Sequence, residues 1–168
     1  MTLPINSIRI MFERELAALK REIEAYPDDA SVWAIPPGIS NSAGSLALHC
    51  AGNLQHFIGA KLGGTGYVRN REAEFARRDV SRAEIVAELD RAFRAVHDTL
   101  SVLPGDSVPD AFPERFTAGT IASEVFVLHL IAHLGYHLGQ IDYHRRITTG
   151  NATTVNTVPV SELPALTA

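Results

Sequence analysis

Apolar residues recur at intervals of three and four over four long stretches of the chain, the spacing of one helical face. In the first, 4–26, Ile8, Phe12, Leu16, Leu19 and Ile23 share a side, and Pro27 with Asp28 and Asp29 ends the run. The second, 40–63, opens on Ser40, Asn41 and Ser42, all N-cap formers, and closes at Gly63-Gly64. Its apolar side is Leu46, Cys50, Leu54, Phe57, Ile58 and Leu62. The third, 81–103, begins with a capping box in which Ser81 and Glu84 satisfy each other's orphan backbone donors. Ile85, Leu89, Phe93, Val96, Leu100 and Leu103 form its core face, and Pro104-Gly105 stops it. The fourth, 120–148, is stopped by Gly150-Asn151 and is about 40 Å long at ~1.5 Å per residue. It is apolar around more of its circumference than the others, which predicts a central position.

The segments between are loops on this reading. YVRNREAEFARRD at 67–79 is charged and predicts a surface connection, and a Pro-bearing crossing occupies 106–119. The tail, 151–168, has a single charge (Glu162) and predicts an extended arm. No strand alternation, internal repeat or second boundary competes. The expectation is an all-α four-helix bundle over residues 1–150, with long loop connections and an extended C-terminal tail over 151–168.

Composition narrows the function. The 168 residues carry 15 Lys plus Arg against 19 Asp plus Glu, a formal charge of −4, which disfavours nucleic acid as a partner. The arginines at 69, 71, 77 and 78 are diluted by Glu72, Glu74 and Asp79, so a solvated loop is expected there. Cys50 is the single cysteine, so no disulfide and no multi-cysteine cluster forms within the chain, and a buried thiol is expected. The most apolar run, VFVLHLIAHL, is too short for a bilayer and carries two histidines. A cytoplasmic location without membrane contact is the expectation.

Seven histidines remain, and six of them fall on two predicted helices: His49 and His56 on the second, His129, His133, His137 and His144 on the fourth. At 100° per residue, His133 and His137 lie 40° and one turn apart, the i, i+4 arrangement that lets two imidazoles grip one ion. His129 pairs with His133 in the same way. His129 and His137 stand about 12 Å apart along the axis, so one pair must be chosen. His49 and His56 are about 10.5 Å apart, so only one of them supplies a third ligand, with Asn53 on the same face between them. Three neutral imidazoles leave a divalent ion with an open position, the pattern of a catalytic zinc site. Imidazole also suits nickel, copper and iron; zinc or nickel is the expectation. Neither HLIAH nor HLGYH has Glu after its first His, so the metalloprotease base is absent. A base comes from elsewhere or is the metal-bound hydroxide itself.

The run HLGYHLGQI at 133–141 resembles the HxxxHxGQ signature of the DinB-like superfamily, DNA-damage-inducible four-helix metal-binding proteins. LHCAGNLQHFIG at 48–59 and GYVRNREAEFARRD at 66–79 resemble one uncharacterised bacterial subgroup within it. The resemblance spans about residues 40–150 and implies His49, His133 and His137 as the ligands. Asn53, His56, His129, Gln140 and His144 would then line or flank the pocket. Similar proteins include S-transferases and isomerases that use a low-molecular-weight thiol, which a metal activates by lowering its pKa. The resemblance thus implies a divalent metal, a thiol cofactor, a small-molecule substrate and a homodimer. An S-transferase or hydrolase acting on a small electrophile stands beside two alternatives: a non-catalytic metal-binding stress-response protein and a dimeric helical interaction module. Gly59 with Gly63, and Gly135 with Gly139, predict close approach of helices or a dimer seam. Trp33 and Tyr67 are expected to anchor loops on the core.

Overall fold

Each of the four apolar stripes becomes a long helix. In the computed structural model, which describes residues 4–78, 80–103, 108–117, 119–155 and 159–164, α1 is Ile5–Glu24 and buries Ile8, Phe12, Leu16, Leu19 and Ile23 as predicted. Two short helices follow the same logic on a smaller scale. Asp28, predicted as a stop, caps α2 (Asp29–Trp33) by accepting from the Ser31 amide, and Asn70 caps α4 (Arg71–Ala76) by accepting from Ala73. Five and six residues are too few to show a period, so both stretches read as loops in the sequence. The elements are completed by α3 (Ala43–Leu54), α5 (Arg82–Ser101) and α6 (Ser123–Thr149). The described residues thus hold six α-helices and no strand.

The second predicted helix is one rod with two geometries. Ser42 caps α3, and from Gln55 to Leu62 the rod continues as a π-helix. The wider π turn re-aims the side chains beyond Leu54, including His56. Gly59 and Gly63 allow α5 to approach this segment. A Cβ at 59 would stand 3.1 Å from that of Ala95, and one at 63 would collide with the Thr99 side chain. The Ser81–Glu84 capping box is present at the start of α5. The Pro104-Gly105 stop lies outside the described residues.

The long elements pack in the cyclic order α1–α5–α3–α6, with α1 and α3 each touching both α5 and α6. Their inward faces form one core that includes Cys50, whose thiol is held well above its usual range by burial. Trp33 anchors its loop as expected: its indole N–H donates to the Val80 carbonyl (2.8 Å) and its ring lies against Gly44. The central placement of α6 is overturned. Val125, Leu128, Tyr136, Tyr143 and Ile147 lie exposed along its outer side, and nothing stands within 4 Å of where a Cβ at Gly135 or Gly139 would be. Helix α6 carries apolar residues on its outer side as well, yet among the described residues the other helices cover only its inner side.

The C-terminal arm is tied down at its root. Arg145, 1% exposed, donates from Nε to Glu22 (2.6 Å) and from its terminal nitrogens to the Asn151 and Thr153 carbonyls. Further on, Val160–Glu162 forms a 3₁₀ turn, and Leu163 and Pro164 lie with Ile10 of α1 around one surface cavity. No helix among the described residues is long and apolar enough to cross a membrane.

Removing one half of a buried ion pair costs more than removing both, because the remaining charge loses its partner. Arg145→Met is therefore expected to lower the unfolding free energy by about 3–5 kcal/mol, and Arg145→Met with Glu22→Leu to recover most of that loss. Urea titration followed by circular dichroism checks both.

Candidate metal centre

Two rods supply the centre. Helix α3 is buried on every side, and His49 projects from its middle toward α6. Helix α6 offers His133 and His137 one turn apart on the side facing α3. The three side chains meet through the same ring atom. His49 Nε2 and His137 Nε2 stand 3.2 and 3.1 Å from His133 Nε2, and all three lie within 4.8 Å of one another. Zinc–nitrogen bonds of about 2.0–2.1 Å place two tetrahedral ligands about 3.3–3.4 Å apart. The spacing therefore fits three corners around one small cation. Among the described residues no fourth His, Cys, Asp or Glu joins the group.

The far ring nitrogens are held as well. His49 Nδ1 donates to Glu74 Oε2 (2.9 Å), and His137 Nδ1 donates to Gln140 Oε1 (2.7 Å). Because carboxylate and amide oxygens only accept, these bonds put the proton on Nδ1 and leave Nε2 with a lone pair for an ion. Arg69 grips Glu74 with two bonds of 2.7 and 2.8 Å, and the same guanidinium stands 3.1 Å from His49 Nδ1. Burial pushes the Glu74 carboxyl up, but the bonds from Arg69 and His49 outweigh it and keep the group below its usual range, hence ionised. Burial also lowers His137, against the bond from Gln140. His133 is pushed down to about 4, first by burial and then by the neighbouring imidazoles and Arg69.

These ties correct the expected solvated loop at 67–79. Its chemistry points inward: Glu74 is 6% exposed, on α4, against α3. Its approach depends on Gly52, where a Cβ would collide with the Glu74 carboxyl. Sequence reasoning missed both Glu74 and Arg69. The available signal was that glycine, one helical turn after His49 on a buried rod.

A family model spans residues 3–162. The chain belongs to the family described as protein of unknown function, DUF1572. No curated protein matches it.

Around the centre of this DUF1572 chain the other expected residues divide. His129 is exposed, stacked near Phe126 with centroids 5.9 Å apart, and its ring lies 6.0 Å from that of His133. Of the two overlapping HxxxH pairs, it is therefore His133–His137 that meets His49. His56 does not join the three histidines, and its Nε2 donates to Glu114 (3.0 Å). Asn53 is buried. His144 is a structural tie: Nε2 donates to the Ala34 carbonyl (2.8 Å), and Nδ1 accepts from the Tyr26 hydroxyl (2.7 Å). His97, the seventh, pairs with Glu13 on the surface. A cavity of about 240 Å³ lies beside Gln140, lined also by Asn41, Leu46, Tyr143, His144 and Ile147. A second, of about 140 Å³, lies behind Glu74 and is lined by Tyr67 among others.

Two expectations follow. The folded pKa of His133 lies below its ordinary 6.5, so the unfolded chain binds its proton first. Stability of the metal-free protein should be full above pH 6.5 and fall as the pH drops toward about 4, and His133→Gln should flatten that slope in a series of thermal melts. Gly52→Ala should drive Glu74 from its place and cost about 1–3 kcal/mol by overpacking, measured by urea unfolding.

Proposed function

We propose that the chain is a metal-dependent enzyme of the DinB-like kind, with one zinc or nickel ion held by His49, His133 and His137. The convergence of three Nε2 atoms from two rods carries this reading. Three imidazole nitrogens placed within 4.8 Å of one another are costly without a shared partner. When bound, the ion would supply a Lewis acid with an open coordination position. The substrate is a small electrophile, and the attacking group is a low-molecular-weight thiol or water.

The protein's own part is to keep the ligands fixed and available. Glu74 and Gln140 hold two rings in one tautomer and one orientation. Arg69 keeps Glu74 ionised and in place. Burial keeps His133 and His137 unprotonated in the neutral range, so that no proton competes for their lone pairs. Structural zinc sites are typically closed by four protein ligands, and the group here brings three together.

Elemental analysis of untagged protein is expected to give about one zinc or nickel per chain. His49→Ala and His133→Ala should each abolish it. Glu74→Gln should retain the ion but weaken its affinity about 10–100-fold, measured by competition with a chromophoric chelator. A metal content near zero after reconstitution would overturn the proposal.

A further inference from the structure

Two buried acceptor atoms on the rod that carries His49 have no donor among the described residues. Asn53 is 7% exposed, and its Oδ1 has no hydrogen-bond partner among the described residues. His56 Nδ1 is in the same position. The His56 tautomer is set by Glu114, whose carboxylate accepts from Nε2 at 3.0 Å while also pairing with Lys61 at 3.3 Å. With the proton on Nε2, the Nδ1 of the neutral ring offers only a lone pair. His144, by contrast, has both ring nitrogens bonded. Leaving buried polar atoms unpaired is costly, so two together on one rod call for an occupant that supplies hydrogen-bond donors.

Both residues lie on the rod that carries His49. Asn53 lies one turn beyond His49 on the same rod, and His56 follows where the π-helix begins. A run of aromatic rings leads from His56 to His133. His56 packs on Phe57 (4.7 Å) and Phe57 on Phe126 (4.9 Å). Phe126 packs on His129 (5.9 Å) and His129 on His133 (6.0 Å). Arg69, which holds Glu74 behind His49, lies 5.8 Å over the Phe57 ring. Phe116 closes the group against Phe126 at 4.8 Å, and Phe57 and Phe116 are only half-buried.

We propose that Asn53 and His56 form a recognition strip of the substrate site. It takes a small molecule with an O–H or N–H donor on an apolar body, which lies along Phe57 and Phe126 with its other end at the metal. This rests on the metal reading above. It deepens that reading by selecting against substrates whose distal end is an acceptor-only anion: a carboxylate there would face the two unpartnered acceptors, Asn53 Oδ1 and His56 Nδ1.

The experiment uses the full chain loaded with Co²⁺, whose visible spectrum reports thiolate binding. Three thiols are titrated: 3-mercaptopropan-1-ol, with a hydroxyl donor; 1-butanethiol, of matching length with no polar end; and 3-mercaptopropionate, an acceptor-only anion. The wild type should bind the mercaptoalcohol about tenfold more tightly than the anion. The ratio of mercaptoalcohol to butanethiol affinity should fall about tenfold in Asn53→Leu and in His56→Phe. Both variants should keep one Co²⁺ per chain, since neither residue is a ligand, and Glu114 keeps Lys61 in the second. Should either variant not fold, the wild type decides alone: the ¹⁵N resonance of His56 Nδ1 should move with the mercaptoalcohol and stay fixed with butanethiol. Equal ratios in variants and wild type, tightest binding of the anion, an unmoved resonance, or no spectral response to any thiol would each overturn the strip while leaving a one-metal protein intact. A chain that binds no metal would overturn both readings.

Discussion

The centre depends on one steric condition: α4 must lie against α3 closely enough for a carboxylate to reach the back of His49. Position 52 has no side chain, and the Glu74 carboxyl stands where a Cβ would be. From that contact the rest follows. Glu74 fixes the His49 ring, Arg69 fixes Glu74, and the His49 Nε2 is left facing the two nitrogens of α6. A larger residue at 52 would displace the carboxylate and with it the tautomer that leaves the lone pair free.

Electrostatics and packing act together here. A buried carboxylate is tolerated because a bidentate guanidinium and an imidazole N–H share its charge. The three imidazoles are tolerated because burial keeps His133 and His137 neutral and because two of the three spend their outer N–H on an oxygen. Further along the same rod, Asn53 Oδ1 and His56 Nδ1 have no partner among the described residues. Behind His49 and His137 the outer ring nitrogens are held by Glu74 and Gln140, which fixes the orientation of two of the three rings.

The long helices were legible because each buries a face at helical period and three of them carry strong end signals: the caps at Ser42 and Ser81 and the left-handed Gly150, at φ 66°. The histidine pair on α6 was legible for the same reason, since a spacing of four fixes two side chains on one side of a helix whatever surrounds it. Helices α2 and α4 were hidden by their length. The central placement of α6 failed because apolar composition records what a face could bury, and among the described residues nothing covers its outer side.

Sequence by itself thus determined the helical class, the long elements and their ends, and the pair His133 and His137, because all of these arise from local spacing along one chain segment. Spacing alone left open which of His49 and His56 meets that pair and whether His129 takes part; resemblance to other proteins favoured His49. The decision was tertiary. It depends on how far α3 slides along α6, on the π turns that rotate His56 toward Glu114, and on the fold of 67–79 that carries Glu74 inward past a glycine. Contacts between segments 25 to 84 residues apart leave no period in the sequence, so only the packed chain could show them.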